Sequence, residues 1–336
     1  MKNKKSIFIG ITIGLVCLAI WIYLIDFAEL KDYLQKINLL YLIFFSLFYI
    51  FAYLLRSIRW KIIINPVYRM GMREAFAYFM SGMLINYLIP IRAGEIAKSI
   101  FLKKNEDVSI SYSLPTIFID KLTDLFPIIL IIVLVPILGV QLNNVLRGFI
   151  VAIFVLYLIF IFILIFSMKN RDLMHTILMK TRIILPKRFE KRLESFFYNF
   201  VDGMNILKGR VKDTLLVYGL TFVAMLSEGF FIYMVFKGLG YSQNNFIHIL
   251  FGYTLMNLTY IFPTPPAQIG SNEFMWVIIF SFALGIDKNL TGAAVAIAHI
   301  LTGLIIFIFG TLSLSAMGMK LSDAFQSEVN KETNNE

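Results

Sequence analysis

The sequence is poor in charge, cysteine and histidine. Asp, Glu, Lys and Arg make up 15% of its 336 residues, against about 25% in an ordinary soluble domain. Its one cysteine, Cys17, gives no disulfide framework, and its three scattered histidines give no metal-ligand pattern. The P-loop, His-Glu-x-x-His and Gly-x-Ser-x-Gly motifs do not occur in it. We therefore expect no metal, no cofactor and no self-contained ATP-driven engine.

Long uncharged runs fill much of the sequence instead. Residues 6–25, 125–146 and 148–168 contain no Asp, Glu, Lys or Arg, and about 20 apolar residues cross a bilayer as a helix. The basic start of the chain resembles a signal sequence, but the first run is too long for one, so we expect a retained helix. The runs predict an all-α polytopic membrane protein, with residues 1–336 as a single integral membrane domain. About eight apolar segments would form about six full transmembrane helices and two re-entrant helical hairpins.

Basic residues are concentrated in segments that can be assigned to one side of the membrane. The net charge is +10, residues 56–73 carry five basic residues and no acidic one, and residues 169–213 carry eleven basic against five acidic residues. The positive-inside rule places both segments in the cytoplasm, the second as a basic amphipathic loop. Both termini are then cytoplasmic, with a polar tail at 317–336, and the location is the cell membrane. We expect the basic faces to contact anionic lipids rather than nucleic acid.

The apolar segment 75–91 ends in a helix break that carries charge. Pro90 and Gly94 interrupt the helix, and Arg92 and Glu95 stand beside them. The freed backbone groups must be satisfied inside protein or in a wet cavity, and an arginine fork suits phosphate or carboxylate. Because both ends of the segment are basic, we predict a re-entrant hairpin that enters from the cytoplasm. The alternative is an arginine that reaches back to the inner surface.

A second break interrupts the apolar segment 246–284. Pro265, Pro266 and Gly270 stop the helix, and Glu273 follows them. The order proline, glycine, glutamate repeats that of the first break, which predicts an inverted repeat with a second hairpin entering from outside. Chance similarity is the alternative, and a glutamate here could simply favour the positive end of a new helix. Two facing broken helices would enclose one binding site.

Charged residues inside apolar segments are the candidates for binding, because a charge at the bilayer centre costs ~3 kcal/mol. Asp120 and Asp124 lie one helical turn apart, with Lys121 within pairing distance. A local ion pair at the end of the helix is an equal alternative for these three residues.

Two further helices carry isolated charges. Arg59, together with Arg56, either binds a headgroup or forms an interfacial anchor with the neighbouring tryptophan. Glu228 stands alone in an apolar helix, with Lys121 or His299 as candidate partners, and we expect His299 to be a satisfied buried histidine. The predicted substrate-binding residues are Arg59, Arg92, Glu95, Lys98, Asp120, Lys121, Asp124, Asn272 and Glu273.

The order and spacing of four stretches resemble those of a known family. The stretches are Arg56-x-x-Arg59-Trp60, Pro90-x-Arg92-x-Gly94-Glu95, Asp120-Lys121-x-x-Asp124, and Pro265-Pro266 through Gly270 to Glu273. Together they are similar to the lysylphosphatidylglycerol synthase transmembrane-region family, or flippase-like domain family, which includes the membrane half of the multiple peptide resistance factor. The resemblance covers residues 6–316.

The sequence departs from the family pattern at three places. Asp120-Lys121 stands where the family usually has Glu-Arg, Lys98 stands where arginine is common, and Ala267-Gln268 replaces two glycines. Charge is kept, but the arginine fork is lost at two sites, and lysine does not replace it in bidentate binding. These changes affect the identity of the lipid more than the fold.

The resemblance implies transfer of a lipid with a polar phospho- or glyco-headgroup between membrane leaflets. Arg92, Lys98 and Lys121 would attract a phosphate, and the acidic residues would position these cations or bind a cationic headgroup. The sequence contains no soluble aminoacyl-transfer domain, so we expect a transporter and not an enzyme.

Two alternatives remain at this point. The first is a membrane glycosyltransferase that uses a polyprenyl-phosphate-linked sugar, with Asp26, Glu29 and Asp32 in its first outer loop. The second is a non-catalytic membrane partner of a separate lipid synthase. A homo-oligomer and a synthase partner both stay open as partners, since no interface motif in the sequence decides either way.

Overall fold

The computed structural model of the chain is helical throughout the part that it describes. It describes residues 2–89, 93–137, 139, 147–148, 150–152, 154–156, 158–159, 162, 209–242, 245–259 and 265–321. No strand occurs within these ranges, which confirms the predicted all-α class. Pro90, Arg92 and most of the predicted cytoplasmic loop and C-terminal tail lie outside the described residues.

The first three helices are α1 (Lys2–Leu24), α2 (Phe27–Lys36) and α3 (Leu39–Ile64). Asp26 caps α2, because its carboxylate accepts hydrogen bonds from the amides of Ala28 at 2.9 Å and Glu29 at 3.3 Å. The segment expected to be the first outer loop therefore contains a helix, and Asp26 serves to begin it.

The next three helices are α4 (Met72–Leu88), α5 (Gly94–Glu106) and α6 (Ile110–Ile137). The predicted break is present, since α4 ends at Leu88 and α5 begins at Gly94. A Cβ atom on Gly94 would overlap the carbonyl oxygen of Gly82, so glycine is needed where α5 folds back against α4. The re-entrant path of this pair through a bilayer stays a prediction.

The second half of the described chain contains α7 (Val211–Gly238), α8 (Phe246–Thr259), α9 (Ser271–Trp276) and α10 (Lys288–Ala316). A 3-10 turn (Pro266–Gln268) precedes α9, and a π-helical stretch (Val277–Ala283) continues it. The predicted break between α8 and α9 is therefore also present. Among the described residues, three helices are long and apolar enough to cross a membrane: α3, α7 and α10.

Two apolar cores hold these helices together. One surrounds Phe236 and Trp276, where α7, α8, α9 and α10 meet. The other surrounds Trp60 and Phe101, where α3, α4, α5 and α10 meet. Small residues permit the close approaches that helix packing in membranes requires; a Cβ on Gly310 of α10, for example, would lie 2.5 Å from a side-chain carbon of α4. Most of the buried charged residues lie where α3, α5, α6 and α7 converge.

Candidate functional site

Arg56 of α3 forms a two-pronged ion pair with Glu228 of α7. Its Nε lies 3.0 Å from one carboxylate oxygen of Glu228, and its Nη2 lies 2.7 Å from the other. The third nitrogen, Nη1, lies 2.5 Å from Oδ1 of Asp124 on α6. Tyr253 of α8 adds a hydroxyl bond of 3.0 Å to Glu228. This paired, fork-shaped geometry is the strongest that an arginine can make.

Arg59, one helical turn further along α3, is fully buried. Its Nε lies 2.8 Å from Oδ1 of Asp120, and its Nη1 lies 2.5 Å from Asp124 and 3.1 Å from the hydroxyl of Thr221. Within the described structure, Nη2 of Arg59 and Oδ2 of Asp120 are buried without a hydrogen-bond partner. Because both side chains are 0% exposed, the inner end of the network keeps one spare donor and one spare acceptor.

Lys121 connects this arginine cluster to the first helix break. Its ammonium lies 2.8 Å from Oε1 of Glu95 and 3.8 Å from Oδ2 of Asp124. Asn86 donates to Glu95 at 3.0 Å and accepts from the amide of Gly94 at 2.8 Å. The side chain of Asn86 therefore satisfies one backbone group freed by the break and also holds the first carboxylate of α5 in place.

Lys98 lies one turn after Glu95 and is almost fully buried. Its ammonium is 2.6 Å from Oε2 of Glu95, and it lies over the rings of Trp60 at 5.0 Å and Phe79 at 5.4 Å. Both distances are within the range of a cation–π interaction. The departure from arginine at this position therefore places a compact cation in an aromatic site.

The charges of this network balance within the described residues. Four cations face four carboxylates. The exposed fraction of the side chain falls along the contacts, from 41% for Lys121 through 19% for Asp124 to 0% for Arg59. The network is thus open at Lys121 and closed at the Arg59–Asp120 pair. The balanced set is Arg56, Arg59, Lys98 and Lys121 with Glu95, Asp120, Asp124 and Glu228.

The second helix break has an unusual backbone. Ala267 and Gln268 have φ angles of 52° and 58°, and Gly270 has a φ of 82°. A positive φ is unfavourable for residues with a side chain, such as Ala267 and Gln268. At Gly270 a side chain would meet a second obstacle, because its Cβ would overlap the carbonyl oxygen of Gly14 on α1. Pro265 precedes the 3-10 turn, and Pro266 is its first residue.

Glu273 and His299 stabilise this break. Glu273 accepts a 2.7 Å bond from the amide of Gly270, and its other oxygen contacts Nδ1 of His299. Nε2 of His299 lies 2.7 Å from the carbonyl oxygen of Ala267 and 3.4 Å from the hydroxyl of Tyr87. Because a carboxylate and a carbonyl face the two ring nitrogens, the doubly protonated imidazolium fits this site. It would join α10 to both sides of the break.

The predicted site residues fall into two clusters rather than one. Glu273 belongs to the second cluster, which it forms with His299, and Asn272 lies buried beside it with an Oδ1 atom that has no hydrogen-bond partner in the described structure. Six of the predicted residues belong to the charge network: Arg59, Glu95, Lys98, Asp120, Lys121 and Asp124. Arg92 lies outside the described residues. Asn86 and Tyr87, adjacent on α4, contact the first and the second cluster respectively.

Sequence reasoning missed part of the first cluster. The interfacial-anchor alternative for Arg56 and Arg59 is wrong, because both are bound by buried acids of other helices. The expected partners of Glu228, Lys121 or His299, are also wrong, since it pairs with Arg56 and Tyr253. The three-residue spacing of the two arginines places them on one helix face, a signal that could have indicated a shared acidic partner.

Two of the three acidic residues around α2, Asp26 and Glu29, have structural contacts. Asp26 caps α2, and its amide donates to the side chain of Asn289 at 2.9 Å. Glu29 accepts a hydrogen bond from the same asparagine of α10. These contacts attach α2 to the start of α10, and the glycosyltransferase alternative stays a hypothesis.

The fold and the network together define a polytopic α-helical membrane protein with charged residues buried between its helices. The sequence matches the model of the lysylphosphatidylglycerol synthase TM region over residues 7–310, and the chain belongs to this family. It is 25% identical to a UPF0104 membrane protein of Methanothermobacter thermautotrophicus, over 98% of this chain and 100% of that protein. It is also 25% identical to a UPF0104 membrane protein of Methanocaldococcus jannaschii, over 68% of this chain and 92% of that protein. No solved structure matches it.

Proposed function

We propose that this protein moves a lipid with an anionic, phosphate-containing headgroup between membrane leaflets. The observation that carries the proposal is the balanced charge network that opens at Lys121 and ends at the buried Arg59–Asp120 pair. The acyl or prenyl chains of the lipid would stay in the bilayer. Transport, rather than catalysis, is the activity proposed.

The desolvation free energy of so many buried charges supports a role of the network beyond folding. Buried ion pairs are often no more stabilising than apolar residues of similar volume, because desolvation offsets their attraction. Charged side chains in membrane segments usually face a cavity or one another and mark substrate pathways. A network that only joined helices would gain nothing from an exposed end, yet the ammonium-bearing side chain of Lys121 is 41% exposed.

Asp124 is the residue that a phosphate would replace. One carboxylate oxygen of Asp124, Oδ1, accepts from both Arg56 and Arg59 at 2.5 Å, and the other, Oδ2, faces Lys121. A phosphate group offers more acceptor oxygens than a carboxylate and is bound well by arginine forks. An entering headgroup would first meet Lys121 and would then exchange with Asp124 on the two arginines.

The test is transport of fluorescent phosphatidylglycerol in proteoliposomes, measured as the fraction of label that dithionite can reach over time. We expect Lys121→Met to reduce the rate by about 10- to 100-fold, since one charge-assisted bond contributes ~1.5–3 kcal/mol. Lys103→Met is the matched control, because Lys103 is exposed at the end of α5 and pairs only with Asp107 among the described residues. Arg92→Ala tests the remaining sequence-predicted cation in the same assay.

A folded Lys121→Met protein with the rate of the unmodified protein would contradict the proposal. So would equal loss in Lys103→Met, because the effect would then follow total charge instead of the network. Folding of each variant is checked by size-exclusion chromatography before reconstitution.

A further inference from the structure

A second polar feature lies outside the charge network, where the C-terminal end of α3 meets the N-terminal end of α7. An open cavity of about 410 Å³ occurs there, which is within the ~300–1,000 Å³ range of ligand sites. Three of its lining side chains are basic, and none of the described lining residues is acidic. The cavity is lined by Lys61, Asn65, Pro66, Arg69, Met70 and Arg210.

The charges of this cavity are only partly neutralised. Asp213 pairs with Nη2 of Arg210 at 2.7 Å, whereas the ion pairs among the described residues include neither Lys61 nor Arg69. Nη1 of Arg210 is buried and has no hydrogen-bond partner in the described structure. An unsatisfied buried guanidinium donor is costly, and an anion in the cavity would satisfy it.

The loop that carries Arg69 is fixed by its own hydrogen bonds. The amide of Asn65 donates to the carbonyl of Lys61 at 3.0 Å, and the amide of Val67 donates to Ile64 at 2.8 Å. The side chain of Asn65 then accepts from the amide of Met70 at 3.3 Å. Arg69 is therefore presented from an ordered turn, which lowers the entropic cost of binding.

We propose that this cavity is a binding site for an anionic phosphate group, separate from the Lys121 pathway. Three converging cations provide the charge and the donors that phosphate requires. The cavity lies in the basic segment that the positive-inside rule assigns to the cytoplasm, where anionic headgroups and soluble phosphate are both available. None of its lining residues takes part in the charge network, so the two proposals can fail independently.

The experiment measures binding of short-chain phosphatidylglycerol to the purified full-length protein in neutral detergent, by native mass spectrometry. Near anionic lipid each Lys or Arg contributes ~1 kcal/mol, or about fivefold in affinity. The double variant Lys61→Gln/Arg69→Gln should therefore bind about 25-fold more weakly. Arg73→Gln is the matched control, because this exposed arginine is close in sequence but does not line the cavity.

Inorganic phosphate distinguishes the source of the ligand. If millimolar phosphate displaces phosphatidylglycerol from the unmodified protein, the site recognises free phosphate as well; if it does not, the site is specific for a headgroup in lipid. Either result supports the proposal when the double variant is impaired. If the double variant does not fold, the single variants Lys61→Gln and Arg69→Gln provide the test, each with about fivefold weaker binding expected.

Two outcomes would overturn the proposal. The first is binding of phosphatidylglycerol by the folded double variant that equals that of Arg73→Gln. The second is equal binding of phosphatidylcholine by the unmodified protein, because a headgroup without net charge should not be selected by three cations.

Discussion

Replacing Asp120 by asparagine removes one charge from the most buried pair of the network. The carboxylate lies 2.8 Å from Nε of Arg59, and both side chains are 0% exposed. The shape of residue 120 is kept and its oxygen can still accept a hydrogen bond. The four-to-four balance becomes four cations against three carboxylates, so the variant isolates the contribution of charge.

The expected size of the effect follows from this geometry. At an effective dielectric constant of about 20, two unit charges 2.8 Å apart attract by roughly 6 kcal/mol. Asp124 also binds Arg59 and remains in place, so part of that attraction is retained. Breaking one partner of a buried pair typically costs ~3–5 kcal/mol. At ~2 °C per kcal/mol, the low end for a large domain, Asp120→Asn should lower the unfolding temperature by about 6–10 °C.

The assay is a double-mutant cycle followed by thermal unfolding in detergent, read by the fraction that stays monodisperse on size-exclusion chromatography. The cycle combines Arg59→Met with Asp120→Leu, so that apolar side chains of similar volume replace both charges. We expect the double variant to be less destabilised than the sum of its single variants. Arg59→Met leaves the buried Asp120 without its cation, and Asp120→Leu leaves Arg59 with only one of its two carboxylates. Lys103→Gln, which breaks an exposed pair, should leave the unfolding temperature essentially unchanged.

Strict additivity of Arg59→Met and Asp120→Leu would refute this reasoning. It would mean that the two side chains do not interact in the folded protein, whatever their separation. An Asp120→Asn protein as stable as the unmodified one would refute the estimate of its magnitude.

Two other substitutions test the helix breaks. Gly94→Ala should greatly reduce the yield of folded protein, because its Cβ would overlap the carbonyl of Gly82; Gly219→Ala, which has open space around it, should be tolerated, and equal yields would contradict the close approach of α4 and α5. His299→Gln should lower the unfolding temperature by about 2–6 °C, since it leaves Glu273 or the Ala267 carbonyl unsatisfied at ~1–3 kcal/mol. An unchanged unfolding temperature for His299→Gln would show that the imidazolium does not stabilise the second break.

The helix breaks could be predicted because proline and glycine act locally. Proline removes a backbone donor and clashes with the preceding turn, and glycine tolerates conformations such as the 82° φ angle of Gly270. The apolar lengths of α3, α7 and α10 were likewise readable, since bilayer thickness sets the length of a spanning helix. The helix α2 was expected to be a loop although Phe27, Leu30 and Leu34 recur at helical spacing. Its ten residues are too short to cross a bilayer, so the length of apolar runs does not indicate this helix.

The partners of the buried charges could not be predicted in the same way. Sequence shows that Arg56 and Glu228 lie in apolar helices, but it does not show how α3 and α7 are rotated about their axes. That rotation is set by packing of the whole bundle, which determines that Arg56 faces Glu228 and that Lys121 faces Glu95 instead. The sequence predicted one site where the structure has two clusters, because it does not show how the helices are rotated.

The last turn of α4 has a consequence for how these clusters behave together. Asn86 holds the Glu95 end of one cluster, and the next residue, Tyr87, contacts His299 of the other. The two residues share one stretch of backbone, so a shift of that backbone displaces both contacts together. An event that moves this turn from one cluster should therefore also change the contact with the other. Thermodynamic linkage makes such coupling reciprocal, so binding at the Glu95 cluster should in turn change the contact between Tyr87 and His299.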